Sequence, residues 1–99
     1  MKFIIENPKV NTNVLFRRAG YHFDKRSGEE MAFARSLTGE RFPRYHAFCK
    51  MDGNKLLVNI HIDHKAASYE GQNMHSGEYG EDSKLLQGEA ERLKGVAGN

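Results

Sequence analysis

The sequence predicts an α+β fold, with a three-stranded antiparallel sheet and a helix near each end of the chain, in the order α-β-β-β-α. Apolar and polar side chains alternate over residues 42–65 on both sides of Asp52-Gly53, which is typical of a β-hairpin. Apolar residues at helical spacing follow N-capping residues in two other segments, 14–19 and 86–93. The 99 residues are enough for one small domain, and we expect a single domain over residues 1–99.

The N-terminal segment predicts a short extended piece followed by the first helix. Residues 3–5 form an apolar cluster, which suits an edge strand or an arm within residues 1–10. Residues 11–13 are Asn, Thr and Asn, whose side chains cap helix N-termini, and Gly20 can adopt the left-handed conformation that ends a helix. A helix of about two turns is therefore expected over residues 14–19.

A further strand is expected between the first helix and the hairpin. Residues 24–30 are polar and contain Ser27-Gly28, a pair typical of turns. Residues 31–37 alternate as strands do, although their Ala-rich sequence would also suit a helical turn or two. We favour the strand, because residues 38–40 then connect it directly to the hairpin and complete an antiparallel meander.

The register of the hairpin follows from its turn. If Asp52-Gly53 is a two-residue type I′ loop, Met51 pairs with Asn54, and each strand has one apolar and one polar face. A shift of one residue would mix the two faces. We expect the helices to cover the apolar face, which consists of Tyr45, Ala47, Cys49, Leu56, Val58, Ile60 and Ile62.

The other face of the hairpin contains the candidate binding site. It carries Arg44, His46, Asn59, His61 and Asp63, and the expected register places His46 opposite Asn59 and Arg44 opposite His61. Exposed sheet faces usually carry Thr, Lys and Glu, so two histidines with Arg, Asn and Asp form a less ordinary set. An ordinary solvated sheet face is the alternative interpretation.

The distribution of charge favours a nucleic acid, RNA in the first place, as the partner of this face. Residues 1–65 contain twelve Lys and Arg against seven Asp and Glu, whereas residues 66–99 contain three against six. Arg44, Arg41 and Arg35 would contact phosphates, and nearby aromatic rings would stack on bases. A protein-interaction or regulatory module without chemistry of its own is a further alternative.

The same histidines suit two kinds of chemistry. His46 or His61 could act as a general acid or base in a hydrolase or nuclease, since histidine titrates near neutral pH. His61, Asp63 and His46, with His75 from the following segment, are ligand types that suit Zn²⁺, Mn²⁺ or Fe²⁺. Because the sequence contains no established metal-binding or phosphate-binding motif, it predicts neither a metal site nor a cofactor.

The rest of the chain predicts a long connection and a second helix. Residues 66–82 contain three glycines and little apolar periodicity, which indicates a loop. The last helix is expected to begin at Asp82 or Ser83 and to reach about Lys94. Residues 95–99 are then expected to be a frayed tail.

Composition predicts a cytoplasmic protein with no membrane partner. No apolar run approaches the ~18 residues that a membrane span needs, and the first residues are too soon polar for a secretory signal. Cys49 is the only cysteine, which excludes an intrachain disulfide. Its position on the apolar hairpin face predicts a buried, unreactive thiol.

Several short motifs resemble those of a group of small prokaryotic proteins of similar length and no assigned function. The resemblance covers most of residues 14–94 and implies no activity. It is carried by Arg18-Ala19-Gly20-Tyr21, Phe42-Pro43-Arg44-x-His46, Asn59-x-His61-x-Asp63, Ser68-Tyr69-Glu70-Gly71 and His75-Ser76-Gly77-Glu78-Tyr79.

The chain also has a more distant similarity to HicA-type toxins. The shared features are Gly20-Tyr21 after a short helix, His46 early in a hairpin strand, and His61 or His64 after the next. The chain departs from the toxin pattern at Arg44-Tyr45, where the toxins have Gly-Ser. The resemblance implies an α-β-β-β-α fold like that of double-stranded-RNA-binding domains, and RNA as the substrate.

Overall fold

The sheet of this protein has five antiparallel strands, in the spatial order β1-β5-β4-β3-β2. The computed structural model describes residues 1–65 and 81–98. In chain order the elements are β1 (Lys2–Glu6), α1 (Thr12–Arg18), β2 (His22–Ser27), β3 (Glu30–Ser36), β4 (Arg44–Asp52), β5 (Lys55–Asp63) and α2 (Glu81–Gly98).

The α+β class is therefore correct, but the predicted three-stranded sheet and α-β-β-β-α order are wrong. β1 is a true edge strand and pairs with β5, with Ile4 opposite Leu57. β2 is the other edge strand, and it occupies most of the segment predicted as a polar turn. Because every residue of β2 is exposed, its sequence shows no apolar alternation, and pairing with β3 alone makes it a strand.

The two helices pack on one face of the sheet and form the core with it. Leu15 and Phe16 of α1 are fully buried, and the ring of Phe16 stacks on Phe33 of β3 with centroids 4.6 Å apart. Leu86 and Leu93 of α2 join the same core. The apolar face of the hairpin is thus confirmed as the face that the helices cover.

The caps of α1 are those that the sequence predicts. Oδ1 of Asn11 accepts a hydrogen bond from the backbone N–H of Val14 at 2.9 Å. Gly20 follows the helix with φ of 93°, a conformation that glycine adopts without steric cost. The helix begins at Thr12, two residues earlier than expected.

The turn of the main hairpin differs from the predicted one. Asp52 pairs with Lys55, so the two loop residues are Gly53 and Asn54 rather than Asp52-Gly53. Gly53 alone has a positive φ, 65°, which is the requirement of a type II′ turn with glycine at its first central position. The predicted type I′ turn is therefore wrong. The predicted register is also wrong, because each residue of β4 pairs with a residue of β5 two positions further along the chain.

This shift of two residues preserves the faces but changes the neighbours. Since side chains alternate with a period of two, every residue stays on its predicted face. His46 now lies opposite His61 instead of Asn59, and Arg44 lies opposite Asp63 instead of His61. The shift thus brings the charged and imidazole side chains of the candidate site into direct cross-strand pairs.

Helix α2 is longer than the sequence suggests. It begins at Glu81 and continues to Gly98, so residues 95–98 are helical and the predicted frayed tail is wrong there. Ala97 is buried, and its carbonyl oxygen accepts a hydrogen bond from the backbone N–H of Lys9 at 2.9 Å. Docking against the segment after β1 therefore orders the last turn. The predicted loop 66–82 lies outside the described residues except for its last two, which are helical.

The buried apolar side chains of α2 lie on its inner side, whereas Leu85 is 43% exposed. Leu86, Ala90, Leu93 and Ala97 are buried, and most of the others are exposed or half-buried. Among the described residues, neither helix combines the length and the apolar character that crossing a bilayer demands.

Cys49 is buried in the core, as the sequence predicts. Its Sγ lies 3.5 Å from the carbonyl oxygen of Met31 and donates to it. Burial, with a smaller contribution from the charge of Glu30, raises the pKa of the Cys49 thiol to about 12. The thiol is therefore protonated at neutral pH, which agrees with an unreactive cysteine.

Candidate functional site

The face of the sheet opposite the two helices carries the predicted site, and we refer to it as the polar face. Arg44, His46 and Phe48 of β4 lie on this face beside Asn59, His61 and Asp63 of β5. Neither described helix packs against it, because the core side chains of both lie on the other face.

Asp63 is the common acceptor of this site. Its carboxylate accepts hydrogen bonds from Nε2 of His61 at 2.8 Å, from Nδ1 of His46 at 3.0 Å and from Nε of Arg44 at 3.2 Å. Burial raises the pKa of Asp63, but the hydrogen bonds and charges of His46 and His61 outweigh this effect and hold the pKa well below its ordinary value. Asp63 is therefore ionised at neutral pH, and three donors share its carboxylate.

His46 lies between two carboxylates. Only 9% of its side chain is exposed, and its Nε2 atom lies 2.9 Å from Oδ2 of Asp24, on the side away from Asp63. The ring also packs on Phe48, with centroids 4.4 Å apart. Both ring nitrogens are thus engaged, and the orientation of the imidazole is fixed.

Asp24 is a site residue that the sequence does not reveal. It sits at a register irregularity of β2, between Phe23 and Lys25, where one extra residue interrupts the pairing with β3. Such a bulge changes the direction of a side chain. Between Asp24 and His46 lies β3, where Ala34 pairs with His46 and Ala32 pairs with Phe48, and these small side chains leave room for the carboxylate to reach across.

His61 is the accessible histidine of the site. One third of its side chain, 33%, is exposed. Nε2 of the ring faces Asp63, and Nδ1 has no hydrogen-bond partner within residues 1–65 and 81–98. Phe48 stacks against the ring with an interplanar angle of 19° and centroids 5.6 Å apart. The carboxylate orients the imidazole while its second nitrogen is available to a ligand.

His64, the other late histidine of the HicA-type comparison, belongs to a different contact. Its Nε2 atom lies 2.5 Å from Oδ2 of Asp82, near the start of α2. This pair links the end of β5 to the helix. Of the two late histidines, only His61 therefore faces His46 across the sheet.

Three further residues of the predicted site are placed apart from this cluster. Arg35 lies on the helix face, where its Nη2 atom is 3.1 Å from Oε1 of Glu89, so it does not reach the polar face. Arg41 is exposed before β4, with its guanidinium 5.6 Å from the ring centroid of Phe42. Asn59 is on the polar face, opposite Phe48 and not His46. His75 lies outside the described residues.

Glu89 and its neighbours form a buried polar cluster that the sequence does not predict. Oε2 of Glu89 accepts a hydrogen bond from Oη of Tyr21 at 2.6 Å, and both Arg35 and Arg92 donate to the same carboxylate. Burial raises the pKa of Glu89, but these hydrogen bonds lower it further, to about 2. The cluster lies between α2 and the sheet and serves packing. The sequence indicates it only through the position of Glu89, which is next to the buried Ala90 in the helix.

A groove extends the polar face from the cluster towards β1. It is an open depression of about 1010 Å³. Lysines, apolar side chains and Phe48 line it, together with the carboxylates of Glu29 and Glu30. The lining residues include Lys2, Ile4, Glu30, Phe48, Lys50, Leu57 and Asn59. Because Phe48 also touches His46 and His61, the groove and the cluster form one continuous surface.

Comparisons with protein-family models, with curated proteins and with solved structures gave no significant match. The similarity to HicA-type toxins and to small prokaryotic proteins thus stays an expectation from the motifs. The functional interpretation rests on the geometry of the polar face.

Proposed function

We propose that this protein is a cytoplasmic RNA-binding module and that the polar face holds a single-stranded segment. One observation carries the proposal: a groove lined by Lys2 and Lys50 continues, through the ring of Phe48, into the His46–His61–Asp63 cluster. Charge for the backbone and ring faces for the bases are the two requirements of single-strand binding.

The lysines of the groove suit the RNA backbone. Lys2 on β1 and Lys50 on β4 are exposed and line the same groove. Neither has an ion-pair partner within residues 1–65 and 81–98, so each lysine can contact a phosphate directly. Glu29 and Glu30 line the same groove, so the backbone would follow the two lysines and not the groove as a whole. Each neutralised phosphate releases counterions, which makes such binding weaken with added salt.

The centre of the groove suits bases. Phe48 is half-buried and lies beside Leu57, while Ile4 at the edge is 47% exposed. An aromatic ring on such a surface stacks a base for about 1 to 3 kcal/mol without sequence preference. Asn59, opposite Phe48, adds an amide that can donate to and accept from a base edge.

The test is a titration of the full chain with a short single-stranded RNA over a range of salt concentrations. Lys2→Ala/Lys50→Ala should weaken binding and make the slope of log affinity against log salt shallower by about 1.4, since each single-strand phosphate contact contributes about 0.7. The matched control is Lys9→Ala/Lys84→Ala, which removes the same charge from exposed positions outside the groove. Equal losses in both double variants, or affinity indifferent to salt, would exclude the groove as the binding surface.

A second candidate function, RNA cleavage, is favoured by the Asp63–His61 pair. A carboxylate that orients an imidazole with one nitrogen free is the arrangement of a general base. In RNA, His61 would take the proton of a 2′-hydroxyl, whose oxygen attacks the adjacent phosphorus. The bond to the 5′-oxygen breaks, that oxygen takes a proton from water, and a 2′,3′-cyclic phosphate results. His46 is unsuited to this role because its ring is buried and both nitrogens are engaged.

Cleavage is tested with end-labelled RNA in the presence of EDTA. His61→Ala should abolish cleavage and keep RNA binding, whereas His64→Ala should keep both. A substrate with a single 2′-deoxy sugar at the cleaved position should resist. Activity that survives in His61→Ala, or cleavage of the 2′-deoxy substrate, would contradict this chemistry and leave a binding module.

A further inference from the structure

Three side chains of the polar face are arranged as ligands of one ion. The ligand atoms of His46, His61 and Asp63 all lie within 4.8 Å of one another. The arrangement follows from the sheet, since His61 and Asp63 are two residues apart on β5 and share a face, and His46 lies directly opposite His61 on β4. We propose that these three residues bind a divalent transition-metal ion, independently of whether the polar face binds RNA.

The distances require an adjustment of the side chains. Two ligands of one tetrahedral Zn²⁺, each bound at about 2.0 to 2.1 Å, are roughly 3.3 Å apart. Nδ1 of His46 and Nε2 of His61 lie 3.0 and 2.8 Å from the two carboxylate oxygens of Asp63. Since all three ligand atoms lie within 4.8 Å of one another, the pair that is furthest apart has to close by up to about 1.5 Å, which requires rotation of the side chains. Two imidazoles and a carboxylate are the ligand set of many Zn²⁺ and Fe²⁺ sites.

A second, independent observation is the position of Asp24. Histidines that bind metals usually donate their other ring N–H to a carboxylate, which fixes the tautomer and directs the free nitrogen at the ion. Oδ2 of Asp24 lies 2.9 Å from Nε2 of His46, so Nδ1 of the same ring points at Asp63. The bulge of β2 places this carboxylate beside a side chain of which only 9% is exposed. An ordinary exposed sheet face does not need such an arrangement.

The charges of the site suit a divalent ion with one position open to a ligand. Asp24 and Asp63 carry two negative charges, against one positive charge on Arg44, whose Nε bonds to Oδ2 of Asp63 at 3.2 Å. A divalent ion more than balances this deficit. Three protein ligands leave a fourth position, typical of sites that also hold water or a substrate oxygen. His61 is 33% exposed, so solvent reaches the cluster at this residue.

The proposal is tested with ZnCl₂ alone, by calorimetric titration of the full chain after EDTA treatment and in the absence of RNA. We expect one Zn²⁺ per chain, with the ring ¹⁵N resonances of His46 Nδ1 and His61 Nε2 shifting on binding. His61→Ala should lose binding. Asp24→Asn should weaken it by about 10- to 100-fold, as expected when a carboxylate that orients a metal-binding histidine is removed. The matched control is His64→Ala, which removes a histidine outside the cluster and should bind as the unmodified chain does.

The thermal midpoint gives a second measurement that does not depend on any activity. Zn²⁺ should raise the midpoint of the unmodified chain and of His64→Ala, because an ion that binds only the folded state stabilises it, but should leave that of His61→Ala unchanged. Midpoints measured in EDTA show whether His61→Ala is folded. Zn²⁺ uptake that is absent, or equal in His61→Ala and His64→Ala, would overturn the proposal and identify the cluster as a metal-free ion-pair network. RNA titrations in EDTA report on RNA binding separately.

Discussion

Nδ1 of His46 lies 3.0 Å from Oδ2 of Asp63, and this contact joins β4 to β5 on the polar face. It exists because Gly53 and Asn54 form the turn, which sets Arg44 opposite Asp63 and His46 opposite His61. If Asp52-Gly53 were the loop, Arg44 would pair with His61, and Asp63 would lie beyond the last pair of β4 and β5. The side chains of Arg44 and His46 would then not meet its carboxylate.

Asp63→Asn should destabilise the protein more than any exposed carboxylate change. The substitution removes the charge that three donors share, and hydrogen bonds to charged groups contribute about 1.5 to 3 kcal/mol. We expect the free energy of unfolding, measured with urea in EDTA, to fall by about 2 to 3 kcal/mol. Asp52→Asn, at the exposed end of the same hairpin, is the control and should change it by less than about 0.5 kcal/mol. Equal effects would show that the Asp63 network contributes nothing to stability.

Ala34→Leu should separate Asp24 from His46. Ala34 is fully buried on β3, between the strands that carry these two residues, and a larger side chain would fill the space the contact crosses. The expected cost is about 1 to 3 kcal/mol of stability, as for overpacked positions. Ring ¹⁵N resonances of His46 should change as they do in Asp24→Asn. Ala34→Gly leaves the space open and should keep them. Unchanged resonances in Ala34→Leu would mean that the contact between Asp24 and His46 does not depend on a small side chain at Ala34.

Glu89 should contribute stability that is lost in acid. Its folded-state pKa is lowered from 4.5 to about 2, so the stabilisation is complete above pH 4.5 and disappears as the pH falls through about 2. Glu89→Gln should therefore be less stable at neutral pH by on the order of 2 to 3 kcal/mol, with a difference that vanishes towards pH 2. Urea unfolding across this pH range measures it.

The control for this pH dependence is Glu91→Gln on the same helix, whose carboxylate is mostly exposed. It should leave the curve unchanged. The lowered pKa of Asp63 also makes the stability of each of these proteins depend on pH in acid. This contribution cancels when the free energy of unfolding of the unmodified chain is subtracted from that of each variant. A constant difference between Glu89→Gln and the unmodified chain at every pH would contradict a lowered pKa at Glu89.

Two glycines should respond in opposite ways to substitution by alanine. Gly88 lies inside α2, and a Cβ there would meet nothing within 4 Å, so Gly88→Ala should stabilise the protein by about 1 kcal/mol. Gly53 has φ of 65°, a conformation that costs an L-residue about 1 to 2 kcal/mol, so Gly53→Ala should destabilise it by that amount. Urea denaturation of both variants checks the signs. Destabilisation by Gly88→Ala would mean that α2 needs this glycine for packing.

Local patterns predict those parts of the fold in which a strand or helix has one apolar side. The hairpin faces, the caps Asn11 and Gly20 and the burial of Cys49 all follow from periodicity or from a residue's own conformational preference. The strand β2 does not follow from such a pattern. An exposed edge strand needs no apolar residues, and its backbone hydrogen bonds do not require particular side chains.

The sequence by itself determined which residues of the hairpin share the polar face, because alternation survives any shift of two residues. Only the tertiary structure decided which of them meet. The turn glycine set His46 opposite His61, and the bulge of β2 turned Asp24 towards His46. The register of β3 put Arg35 on the helix face, where docking of α2 placed Glu89 beside it. Each of these contacts joins residues far apart in the chain, so its free energy depends on the pairing of whole elements and not on local preference.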